Sequence, residues 1–187
     1  TLIADYIINY SIKRGFCTIY TAPIKALSNQ KYLEFSKEYG EDKVGLITGD
    51  IVKNTTAPIL IMTTEIYRNM ALSKDEILNK VKYVIFDEIH FINDIERGYI
   101  WEESIIFSGN DKRFLCLSAT IPNAGEFASW ISEIKMHKVD VIKHTHRIVP
   151  LERYFYDTES GIGSLEDIKN IIQIPTYNSK TGRIGNN

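Results

Sequence analysis

The 187-residue chain reads as an α/β domain in which a mostly parallel sheet carries helices on both faces. Three observations predict it. Short apolar runs alternate with helical periodicities along the chain. Those runs are apolar at nearly every position, as strands buried on both faces require. Polar clusters stand immediately after the runs, at the strand ends where open parallel sheets bind ligands.

The elements follow in order. Ile3, Tyr6, Ile7 and Tyr10 recur at i, i+3, i+4 and i+7, which predicts one helix face. Lys13, Arg14 and Gly15 close that helix, basic residues near its C-terminus and glycine as the stop. FCTIY (16–20) predicts a buried strand, and a helix follows from about Ile24 to Tyr39, stopped at Gly40. VGLIT (44–48) and PILIMT (58–63) are the next strands, with the polar loop KNTTA between them. TEIYRNMAL (64–72) predicts a helix capped by Thr63 or Thr64. KYVIF (82–86) is a strand, roughly 98–107 a helix, and FLCLS (114–118) a strand. Phe127, Trp130, Ile131 and Ile134 mark another helix face, and VDVIK (139–143) reads as a last short strand. From Gly161 the pattern weakens to one short helix over 165–172 and a Gly/Asn-rich tail, so 161–187 reads as a partly disordered exit segment.

Composition narrows the class only slightly. With 44% apolar and 25% charged residues, the chain can build one well-cored domain but not two full ones. No apolar run approaches the roughly 20 residues of a membrane span, and TLIADYIINY lacks a signal peptide's basic leader. Cys17 and Cys116 sit in apolar runs and read as reduced, buried strand residues, not a disulfide. The four histidines have no cysteine at zinc-like spacing. The chain therefore reads as intracellular and membrane-free, in the cytoplasm or, in a eukaryote, the nucleus. The net charge of −2 does not advertise nucleic-acid binding. Nor does it exclude such binding, because a protein tracking along a strand needs local phosphate contacts and no global positive field.

The chemistry is in the clusters after the strands. DEIH (Asp87 to His90) ends the KYVIF run with two adjacent carboxylates. Repulsion and desolvation make that pair costly unless a cation or polarised water is present. In nucleotide hydrolases a strand-end Asp holds Mg²⁺ and a neighbouring acid can position the attacking water. Taken alone, Asp-Glu after a strand reads as a solvated turn opening a helix; the companion motifs in order overturn that reading. SAT (118–120) after FLCLS would alone be an ordinary helix-entry turn; its place after DEIH makes it a sensor loop between nucleotide and nucleic acid. TAPIKALSNQK (21–31) puts Lys25, Ser28 and Asn29 in the first turns of a helix, where free N–H groups and the dipole suit phosphate. TGD (48–50) and TTEIYR (63–68) follow the next strands: Gly49 permits close backbone approach, Thr63 and Thr64 can cap and donate, and Arg68 lies one turn on.

Together TAPIKALSNQK, TGD, MTTEIYRNM, VIFDEIH, NDIERGYIWEE and LSATIPNAGEFASWI resemble the superkiller-type, exosome-associated DExH RNA helicases of superfamily two. The resemblance covers about residues 1–156, and the stretches between motifs match as well. It implies a RecA-like three-layer domain of the P-loop NTPase type over 1–146, followed at 147–187 by the linker strand RIVPLERYFYD toward a second RecA-like domain. It implies ATP and Mg²⁺ as cofactors, and Asp87 and Glu88 as the Mg²⁺ and water-activating residues. His90, Ser118 and Thr120 become the coupling set, which the sheet rim would let share one hydrogen-bond network. Pro23, Lys25, Ser28, Asn29, Gly49, Thr64 and Arg68 become the nucleic-acid contacts. The departure lies at the start: the family's N-terminal strand and Gly-Lys-Thr P-loop are expected before LIADYII, so Thr1 reads as the Mg²⁺-binding hydroxyl of that loop. The implied partners are single-stranded RNA, the second RecA-like domain and an exosome-type RNA decay complex. A DNA-repair helicase of the related archaeal type, and a nucleic-acid-binding fragment without turnover, are the alternatives.

Overall fold

The computed structural model describes residues 2–119, 121–144, 149, 151–158, 161–164, 166–167, 176–178 and 183–185. The chain divides into two compact units, Thr1–Val141 and Ile142–Asn187.

The first unit holds α1 (Leu2–Lys13), β1 (Cys17–Ala22), α2 (Lys25–Tyr39), β2 (Val44–Ile47), β3 (Val52–Lys53) and β4 (Ile59–Thr63). It continues with α3 (Thr64–Ser73), β5 (Val81–Phe86), α4 (Tyr99–Phe107), β6 (Arg113–Cys116) and α5 (Ala124–Lys135). The six strands form one sheet in the order β3-β2-β4-β1-β5-β6. Every pairing is parallel except β2 with β3, an edge hairpin built inside the loop between the second and third predicted strands.

Side-chain alternation along the strands sorts the core into two layers. Ile19, Leu60, Met62, Val84 and Phe86 pack with Tyr67 of α3, Trp101 and Ile105 of α4 and Ile131 of α5. Their sequence neighbours Tyr20, Ile59, Ile61 and Ile85 pack on the other face with Ala4 and Ile8 of α1 and Phe35 of α2. The result is the three-layer, mostly parallel arrangement read from the sequence.

Two expectations need correction. VDVIK (139–143) forms no strand. In α1 the buried residues are Ala4, Ile8 and Ser11, while Ile3 and Tyr6 are exposed. Small side chains let the helix backbone lie close to the sheet, and Ser11 hides its hydroxyl on the Ile7 carbonyl at 2.8 Å. The cysteines are both free, and burial pushes the Cys116 thiol up to about 12.

In the second unit β7 (Phe155–Asp157) pairs antiparallel with β8 (Gly161–Gly163), and β9 (Thr176–Asn178) with β10 (Arg183–Gly185). Of the helix expected over 165–172, Glu166 and Asp167 are helical; its other residues and much of the Gly/Asn-rich tail lie outside the described residues. No helix among the described residues is long and apolar enough to cross a membrane.

Candidate catalytic and nucleic-acid site

The polar clusters meet at the C-terminal rim of the sheet, as the chain reversal after each parallel strand dictates. Leu117 N–H donates to the Phe86 carbonyl and Ile89 N–H to the Leu117 carbonyl, both at 2.9 Å. The β5–β6 ladder therefore runs on past Cys116 and seats Ser118 beside DEIH.

Both oxygens of Asp87 are held. The Tyr20 hydroxyl donates to Oδ2 at 2.5 Å, and the Glu88 N–H donates to Oδ1 at 3.1 Å. Tyr20 is only 1% exposed. Burial first, then its bond to the Asp87 carboxylate, pushes its pKa upward, so the phenol keeps its proton and stays a donor. Glu88 sits in the left-handed region at φ 51°, ψ 44°. For a residue with a Cβ that costs on the order of 1–2 kcal/mol, a strain that structures retain chiefly at functional sites. His90 Nδ1 lies 3.1 Å from Glu88 Oε2, but is too poorly aligned to hydrogen-bond.

Of the expected coupling set, His90 and Ser118 are described and share no hydrogen bond. His90 faces Glu88. Ser118 is exposed and, among the described residues, makes no side-chain hydrogen bond. Thr120 and Thr1 lie outside the described residues.

No group of three or more His, Cys, Asp or Glu among the described residues could hold a metal ion. Mg²⁺ needs no such group, because it is commonly bound by one or two carboxylates together with substrate phosphates and water. Asp87 and Glu88 are adjacent carboxylates that fit such a site.

On the same rim, TAPIK and TGD are joined. Lys25 Nζ pairs with Asp50 Oδ1 at 2.9 Å, and this bond holds the Asp50 carboxyl below its ordinary value. A Cβ on Gly49 would come within 3.4 Å of the same ammonium. Both partners of the pair are exposed, so it adds little stability and leaves Lys25 open to a phosphate. Asn29 is exposed on the first turns of α2. Ser28 and Thr64 are fully buried, with hydroxyls committed to the Ile24 and Ala22 carbonyls at 3.3 and 3.4 Å. Pro23 is buried, and its carbonyl accepts from Arg97 at 3.0 Å. Arg68 is held by Glu103 at 2.6 Å and lies over the Tyr99 ring.

Residues 1–127 match the DEAD/DEAH box helicase family. The chain belongs to that family. Superkiller complex protein 2 of Homo sapiens is 47% identical to this helicase over 161 residues, 86% of this chain and 13% of its own length. Exosome RNA helicase MTR4 of Mus musculus is 46% identical over 156 residues, 83% of this chain and 15% of its own length. The crystal structure of the Pyrococcus furiosus Hef helicase domain has the same fold, with a TM-score of 0.54 at 20% identity over 74% of this chain and 31% of that one. The superkiller-type resemblance read from the motifs is borne out.

Five residues of the rim received no role in the motif reading: Tyr20, and Asp50, Glu65, Arg97 and Glu103 inside the motifs themselves. Tyr20 stands inside an apolar strand run, where nothing marks its hydroxyl. Arg97 and Glu103 lie in NDIERGYIWEE, whose match to relatives carried a signal without a chemical reason. The structure supplies one. Asp94 Oδ1 caps the N–H groups of Glu96 and Arg97 at 2.9 and 2.8 Å, Arg97 reaches Pro23 and Glu65, and Glu103 reaches Arg68.

Proposed function

We propose that this helicase chain is part of the first RecA-like motor domain of an ATP-dependent RNA helicase. In this reading it couples ATP hydrolysis to translocation on, and unwinding of, RNA in RNA processing or decay. The observation that carries the reading is the acid pair at the end of β5. Asp87 is pinned by a buried phenol and Glu88 is held in a strained turn against His90. A binding module has no use for that costly arrangement, whereas a hydrolase does.

Asp87 and Thr1 would hold Mg²⁺, which would neutralise charge on the ATP phosphates. Glu88 accepts the proton of the attacking water, and His90, 3.1 Å from Glu88, joins Ser118 and Thr120 as the set that couples the acid pair to the RNA-binding loops. Lys25, Asn29, Gly49 and Arg68 face the RNA backbone, which positions a strand without reading bases. Pro23, Ser28 and Thr64 shape the loops around those contacts. Residues 1–146 form the motor domain and 147–187 lead toward its second RecA-like partner. The chain spans 13% and 15% of the two relatives' lengths. Their names support single-stranded RNA and an exosome-type or superkiller-type decay complex as the partners of the whole protein.

The test is Glu88→Gln in the full-length polypeptide. The amide keeps the shape but cannot take the proton. ATP affinity is expected to hold while RNA-stimulated hydrolysis falls at least about a hundredfold. Hydrolysis within a few-fold of wild type would show that Glu88 is not the base.

A further inference from the structure

Arg97 has more partners than its place in a surface turn requires. Its guanidinium donates to the Pro23 carbonyl at 3.0 Å, pairs with Glu65, and lies 5.9 Å from the Trp101 ring centroid. Its own N–H is fixed by Asp94 at 2.8 Å, in a turn that directly follows the 3₁₀ helix Ile89–Asn93 leading out of DEIH. Pro23 belongs to TAPIK and Glu65 to the TTEIYR helix. One nitrogen, Nη2, thus reaches two segments that lie far apart in sequence, and both stand at the proposed RNA contact.

A second bridge of opposite sign runs parallel to the first. On α3, Glu65 and Arg68 are spaced i, i+3 and share a face. Acidic Glu65 meets basic Arg97, and basic Arg68 meets acidic Glu103. Sliding α3 against the 97–103 segment would bring like charges together. The two bridges set one register between α3 and α4.

We infer that Arg97 is a positioning residue: it locks TAPIK to the TTEIYR helix and ties both to the turn that leaves the acid pair. The inference rests on the RNA-motor reading. The planar guanidinium fixes the two protons of Nη2 in one plane, one toward the carbonyl and one toward the carboxylate, while an ammonium on a shorter, flexible stem holds no such plane. Arg97 touches neither nucleotide nor RNA in this assignment, so its loss acts through the geometry of Lys25 and Arg68.

The experiment measures RNA affinity, nucleotide affinity and melting temperature of the full-length polypeptide with Arg97→Gln, Arg97→Lys, Glu65→Gln and the double Arg97→Gln/Glu65→Gln. A single-stranded RNA of mixed sequence is the probe, and Lys25→Ala is the control. Arg97→Gln is expected to weaken RNA binding about tenfold with nucleotide affinity unchanged. Arg97→Lys falls between wild type and Arg97→Gln. The double variant is no worse than the worse single one, because both remove the same link. Additive effects of positions 97 and 65 would overturn the inference, as would RNA and nucleotide affinity falling together with the melting temperature. If Lys25→Ala weakens RNA binding and Arg97→Gln does not, the lock is wrong and the RNA reading stands. If neither changes RNA binding, both are wrong.

Discussion

Asp87 illustrates how a site is set by a residue that carries no motif. Its oxygens are engaged by the Tyr20 hydroxyl and the Glu88 N–H, so the carboxylate has one orientation before any cation arrives. Partners of this kind orient metal ligands, and removing one typically costs about 10–100-fold in metal affinity. Tyr20→Phe keeps the ring and its edge-on contact with Phe35 at 5.3 Å, and deletes only the donor. In the full-length polypeptide with ATP, Mn²⁺ titrated as a Mg²⁺ substitute is expected to bind at least about tenfold more weakly. An unchanged Mn²⁺ affinity with a lowered melting temperature would make the phenol merely a packing group. Asp87, Glu88 and Lys25 were legible from their types and places after strands. Tyr20 was not, because a hydroxyl facing another strand's end looks, in sequence, like any aromatic in a buried run.

At the scale of elements, the strands were legible because burial on both faces removes polar positions from them. VDVIK breaks that rule with Asp140 inside it and Lys143 at its end, and residues 140–143 are exposed and form no strand. Helix α1 misleads for a different reason. Periodicity weighs large apolar residues, while the face against the sheet is chosen for close approach and uses Ala4 and Ser11. The turn before α4 shows close approach at its limit. A Cβ on Gly98 would lie 2.3 Å from the Ile92 carbonyl oxygen and 2.6 Å from that of Asp94. Both obstacles are backbone, so the turn itself must open. Gly98→Ala is expected to destabilise the first unit by about 2–4 kcal/mol and to loosen Arg97 one residue away. Thermal unfolding together with RNA affinity checks it: a melting temperature within about a degree of wild type would show that the turn yields freely.

At the scale of the whole molecule, the scaffold is legible and its strand order alone brings the polar clusters to one rim. Parallel β1, β4 and β5 place TAPIK, TTE and DEIH side by side through register alone, Thr21 opposite both Met62 and Phe86. In the proposed motor, the residues that contact the phosphate backbone and activate the water lie within residues 2–119. What the 187 residues do not contain is a Gly-x-x-x-x-Gly-Lys-Ser/Thr sequence, the loop whose backbone and lysine cradle the ATP phosphates in this class of hydrolase. Arginine fingers alone are worth about 10³–10⁵ in rate, and in the proposed motor they come from a second domain. The 187-residue polypeptide is therefore expected to bind single-stranded RNA weakly and with strong salt dependence, because Lys25 and its neighbours need no nucleotide to meet a phosphate. It is not expected to turn over ATP. Phosphate release with saturating RNA measures this directly. Turnover in the range of about 1–100 s⁻¹ would mean that the acid pair works without a phosphate cradle, and the assignment of Asp87 and Glu88 as a dependent half-site would fail.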